Sequence, residues 1–160
     1  MSQWTTEDVR EGFGAGPFCS PWVVVTQELM DQFAVVTMDP DWMHIDPERA
    51  AAEGPFDHTI AFGFWTLSLL TYFLRLTLGR DYPPGAEYGF NYGFDRVRLM
   101  APIPVGSRIR NHMVVSDVRE KRAGCFVVTL RNRVELEGED KPAMLADWLV
   151  MLVYPGEDTG

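Results

Sequence analysis

Cysteine is scarce and poorly placed for chemistry. The two present, Cys19 and Cys125, have neither metal-ligand nor redox spacing, so no metal site is expected. Basic residues are also in short supply, 14 Lys and Arg against 23 Asp and Glu, for a net charge of −9. That balance argues against a nucleic-acid binder, whose affinity comes from cations that neutralise phosphates. Met1 to Arg10 carries Glu7 and Asp8 and has no apolar core to serve as a secretion signal, so a reducing cytoplasm is expected. Repeats, low-complexity tracts and linkers are absent. With 160 residues, 46% of them apolar and 23% charged, the chain reads as one folded domain over 1–160, with a lead-in at 1–20 and a tail at 155–160.

One long apolar run stands out, Ile60 to Leu78, in which Arg75 is the only charge. As a helix it would extend about 28 Å at ~1.5 Å per residue, with apolar side chains on every face, and such a helix is either buried or spans a membrane. No second run of this kind follows. Thr66, Ser68, Thr71 and Thr77 dilute the first, and Asp57 and His58 precede it, so a membrane span is set aside. Burial on all sides requires a wrapping, and the second half of the chain supplies strands. The expected class is α+β, an antiparallel sheet wrapped around one long central helix.

Upstream, a short helix is expected at Thr5 to Glu11 and a β-rich run at Trp22 to Val25. Thr26 is placed to cap a helix carrying Leu29, Met30, Phe33 and Val36 on one face and ending near Thr37. Pro40 and Pro47 make Met38 to Asp46 a loop. Asp46 and Pro47 then start a helix that stops at Gly54-Pro55. Four strands are expected at Glu87–Met100, Ser107–Arg119, Gly124–Glu137 and Pro142–Tyr154. The last is apolar on both faces except at Asp147, which predicts a central position or a subunit contact.

Two features can carry chemistry. Asp39 and His44, five apart on the proline-bent loop, can together hold a water and move its protons, although a turn-capping aspartate and a satisfied loop histidine fit the same spacing. Gly63, near the start of the long helix, can present a free backbone N–H to developing negative charge. A glycine that merely lets the helix pack closely on a strand fits as well.

The segments Thr37 to Ala50, Gly54 to Phe56 and Thr59 to Leu70, with Asn91 to Arg98 and Ala101 to Arg108, together resemble the MaoC-like hydratases. The likeness is to the branch that includes nodulation protein N and actinobacterial (R)-specific enoyl-CoA hydratases, and it runs from about Trp22 to Tyr154. It implies a hot-dog fold, a homodimer, and (R)-specific hydration of a trans-2-enoyl thioester or the reverse dehydration. No metal or redox cofactor is implied, and CoA enters only as part of the substrate. Asp39 and His44 would hold the water, and the Gly63 N–H would receive the thioester oxygen. The substrate would be an acyl-CoA or an acyl-carrier-protein thioester, the latter disfavoured because carrier proteins share this chain's negative charge unless a local basic patch reverses it. Two departures from the family pattern are Met38, where a glycine is usual, and Phe62, where a histidine is usual. Phe62 is expected to add an apolar ring at the pocket mouth, with Trp42, Phe64 and Trp65 reshaping the acyl site and Tyr92 and Arg98 joining the substrate contacts. A hot-dog thioesterase and a non-catalytic acyl-thioester-binding or dimerisation subunit are the alternatives.

Overall fold

The computed structural model describes residues 4–155, so the expected tail lies outside the described residues except for Pro155. Helix α1 (Thr6–Phe13) opens on a capping box in which Asp8 N–H donates to Thr5 Oγ1 and Thr5 N–H donates to the Asp8 carboxylate. Strands β1 (Phe18–Cys19) and β2 (Val23–Val24) follow. Thr26 caps α2 (Gln27–Thr37) as expected, its hydroxyl accepting from Leu29 N–H at 3.3 Å. Helix α2 ends at Met38, which adopts left-handed geometry with φ 57°.

The segment read as a loop contains a four-residue helix, α3 (Trp42–Ile45). Both prolines lie outside it, and the Asp41 carboxylate caps it by accepting from Met43 N–H at 2.9 Å. Helix α4 (Pro47–Glu53) starts on Pro47 with Asp46 as its cap. The long helix, α5 (Gly63–Leu78), is 16 residues and starts three positions later than the apolar run. Ile60 to Phe62 are extended instead, because Ile60 bridges Pro104 and Ala61 N–H donates to Ile103 O at 2.8 Å.

The remaining strands are β3 (Tyr88–Leu99), β4 (Arg108–Arg122), β5 (Cys125–Leu136) and β6 (Met144–Val153). All pairing is antiparallel, in the order β1-β4-β5-β6-β3, with β2 also on β4. β6 is therefore internal, which accounts for its two apolar faces. Trp65, Leu70, Phe73 and Leu74 of α5 pack with Phe126, Val128, Leu130 and Trp148 in one core. This is the hot-dog arrangement of a sheet around a central helix.

A single chain does not bury that helix on every side. Phe64 is 76% exposed, and Ser68, Thr71, Tyr72 and Arg75 continue the same open face. The adjacent edge strand β3 adds exposed Tyr88, Phe90, Phe94 and Leu99. No helix among the described residues is long and apolar enough to cross a membrane.

Candidate active site

His44 is held by contacts that sequence spacing does not reveal. Its carbonyl accepts from Gln27 Nε2 at 2.7 Å, and Gln27 Oε1 accepts from the buried Thr59 hydroxyl at 2.7 Å. Ile60 N–H donates to Met43 O, so the segment before α5 is stitched to α3. The His44 Nδ1 lies 2.7 Å from Ile60 O. A carbonyl only accepts, so Nδ1 carries the proton and Nε2 remains free for chemistry.

Gly63 begins α5. Helices α1 to α4 are each capped by a side-chain oxygen, from Thr5, Thr26, Asp41 and Asp46. Helix α5 is not, since its N-cap is Phe62. Its first N–H groups therefore keep their donor capacity and lie at the positive end of the helix dipole. A methyl group on Gly63 would overlap the Leu99 Cδ1 atom, so the exposed Leu99 side chain would have to turn aside.

His44 and Gly63 share the wall of a cavity of about 270 Å³, with Ile60, Thr66, Leu99, Pro102, Ile103 and Ala143 among its other lining residues. A larger cavity of about 460 Å³ lies along the second half of α5, between Thr71, Leu74, Trp148 and Leu152. It contains no histidine, and its one acid, Asp81, is paired with Arg75 at 3.1 Å. Of the two cavities, the smaller one is therefore the one that contains a histidine.

Asp39 follows Met38 at the end of α2, where its N–H donates to Ala34 O. Its carboxylate is exposed and forms no hydrogen bond with His44 or another described residue. Phe62 is not at the cavity mouth. It is 4% exposed and lies behind His44, with ring centroids 3.8 Å apart, and its ring also meets Phe33 at 5.2 Å. Trp65 is buried in the core, and Trp42 stacks under Arg49. Phe64 points to solvent from the first turn of α5. Tyr92 lies on β3, where Lys121 Nζ donates to its hydroxyl at 2.9 Å and holds its pKa below the ordinary phenol value. Arg98 is on the sheet's outer face. None of these seven residues, Asp39 and Phe62 included, lines the smaller cavity.

Gln27 and Thr59 are the supporting residues that sequence reasoning missed. Periodicity assigns Gln27 only to the first turn of α2, and its reach to His44 is a long-range contact without a local signature.

The sheet wrapped on its central helix defines a hot-dog protein, with His44 in a cavity at the start of that helix. Residues 11–137 match the family described as MaoC like domain. Nodulation protein N of Rhizobium leguminosarum bv. viciae is 39% identical over 160 residues, covering 99% of this chain and 97% of that protein. The 3-hydroxyacyl-thioester dehydratase Z of Mycobacterium tuberculosis is 45% identical over 134 residues, covering 84% and 86%. Among solved structures, the (R)-hydratase from A. caviae involved in PHA biosynthesis superposes with TM-score 0.69 at 20% identity, covering 89% of this chain and 98% of that one. The HadBC 3R-hydroxyacyl-ACP dehydratase complex of Mycobacterium tuberculosis has TM-score 0.66 at 20% identity, covering 84% and 93%. The chain belongs to the MaoC-like family, and by class it is a hydro-lyase.

Proposed function

We propose that this protein hydrates trans-2-enoyl thioesters with (R) stereochemistry, or runs the same step backwards as a 3-hydroxyacyl-thioester dehydratase. The observation that carries this reading is the shared cavity, which is lined both by His44, its Nδ1 bonded to Ile60 O, and by the uncapped start of α5. In this reading one water lies between His44 and the exposed carboxylate of Asp39, which share no direct hydrogen bond. Its oxygen bonds to the β-carbon while a proton passes to the pair. The electron pair of the double bond moves onto the thioester oxygen, which the Gly63 N–H stabilises as an enolate. A proton returned to the α-carbon completes the addition. These transfers balance without a metal or a redox cofactor.

Acyl chains too long for the first cavity would run along α5 into the second, where Leu74, Trp148 and Leu152 supply an apolar lining. The substrate is an acyl-CoA or acyl-carrier-protein thioester. The functional unit is a homodimer that covers the free edge of β3 and the open face of α5, since a long apolar edge strand invites pairing with another copy.

Incubation with crotonyl-CoA tests the reading. Loss of the enoyl absorbance with no release of thiol supports hydration. Free thiol would instead mean hydrolysis by a thioesterase, and binding without turnover would mean a non-catalytic acyl-binding subunit.

A further inference from the structure

The net charge of −9 hides a local reversal on the outer face of the sheet. The strand register places Arg98 opposite Leu145 and Leu145 opposite Arg133, and in the next outward row Arg96 opposite Asp147 and Asp147 opposite Arg131. Directly opposed residues share a sheet face. The alternating residues Asn132 and Ala146 are buried on the core side, so the arginines face outward. Strand spacing and rise put their four Cα atoms at the corners of a rectangle of roughly 10 by 7 Å.

One carboxylate serves this group. Asp147, 15% exposed, lies 3.2 Å from Arg131 Nε and 3.9 Å from Arg96 Nε. Arg98 and Arg133 have no acidic partner among the described residues and donate only to the carbonyls of Val97 and Asp140. Farther along the same face the pattern differs, because Arg108 is matched by Glu137 and Arg110 by Glu135 through paired hydrogen bonds. The unmatched group also has an apolar centre, the exposed Leu145 between Arg98 and Arg133.

We infer that Arg96, Arg98, Arg131 and Arg133, set around Leu145, form a docking surface for an acidic acyl carrier protein that delivers its thioester to the His44–Gly63 cavity. This rests on the hydratase reading above. Guanidinium forks suit carboxylates, and four of them around an apolar centre match an acidic protein surface better than the few phosphates of one free CoA. The patch also connects to the site. Arg98 precedes Leu99, whose side chain lies against Gly63, and Leu99 to Ile103 form one wall of the cavity. The arginines lie on the opposite face of β3 from that wall, at the strand end where the wall begins, so a seated carrier would reach the cavity around that end. Local potential, not net charge, guides such an encounter.

The test compares the wild type with an Arg131→Gln/Arg133→Gln variant on two substrates, crotonyl-CoA and the crotonyl thioester of an acyl carrier protein. The expected result is a fall in kcat/KM of roughly 10-fold or more on the carrier-bound substrate alone, together with a weaker salt dependence. Unchanged kcat/KM on crotonyl-CoA and an unchanged Tm show that the fold and the cavity are intact. Equal losses on both substrates would overturn the inference, as would no loss on either or a wild type that uses only crotonyl-CoA. If the wild type turns over neither, the hydratase reading fails, and calorimetric titration with the holo carrier protein decides the docking surface: binding weakened by the variant supports it, and absent or unchanged binding overturns it.

Discussion

The Phe62 ring stacks on the His44 imidazole with centroids 3.8 Å apart and planes tilted by 31°. Phe62 is thus a buried backstop for the imidazole, and its own ring meets Phe33 at 5.2 Å. With Nδ1 fixed by Ile60 O, the imidazole has a support and a hydrogen bond that together set where Nε2 points. Phe62→Leu removes the ring but leaves an apolar side chain. It should lower kcat by about 10-fold with little change in KM, since a small misplacement of a catalytic group is costly. Phe62→His, which keeps a ring, should retain more activity than Phe62→Leu. Steady-state kinetics on crotonyl-CoA check the order, and a loss confined to KM would mean that Phe62 shapes substrate binding instead.

Met38 carries a backbone conformation that side chains resist, with φ 57° and ψ 34°, and it is 88% exposed. Left-handed geometry costs a non-glycine residue roughly 1–2 kcal/mol, and this side chain buries little in return. Met38→Gly should therefore stabilise the fold by about 1 kcal/mol, the scale of that strain less the flexibility glycine adds to the unfolded chain. Urea unfolding at neutral pH measures the change.

Glu135 accepts hydrogen bonds from Arg110 and His112, which hold its pKa at about 2 instead of 4.5. Between those values the unfolded chain carries a proton that the folded chain lacks, so stability rises with pH through this window and is lost as pH falls towards 2. Glu135→Gln should flatten that acid limb. Unfolding free energies compared at pH 2.5 and pH 5 reveal it, and an unchanged slope would place the acid sensitivity elsewhere.

The free edge of β3 predicts a dimer. Light scattering should give twice the 18.2 kDa chain mass, and Phe94→Asp, on the exposed edge, should shift the equilibrium towards monomer. A monomeric wild type at micromolar concentration would show that neither β3 nor the open face of α5 is an interface.

Much of the fold was legible because its signals are local. Thr26, Asp46 and Pro47 mark helix starts through their own backbone and side-chain chemistry. The start of α5 was misplaced because Ile60 to Phe62 are as apolar as the helix, and only their pairing with Ile103 and Pro104 makes them extended. α3 was hidden because two flanking prolines suggest a loop while leaving four of the six residues between them free to turn. At the site, His44 and Gly63 were visible as residue types at a spacing. The Gln27–Thr59 brace and the position of Phe62 behind the imidazole depend on contacts across the chain. The arginine group required strand register, because Arg96 and Arg98 lie more than thirty positions from Arg131 and Arg133 in sequence.

The central claim is that His44 and Asp39 act as one unit on a single water. It is tested most directly by the kcat of crotonyl-CoA hydration for His44→Ala, Asp39→Asn and the double variant, each shown to be folded by its Tm. Each single change should cost at least ~100-fold, and the double variant should be scarcely worse than either single one. Near-normal hydration by a well-folded His44→Ala or Asp39→Asn protein would contradict the account.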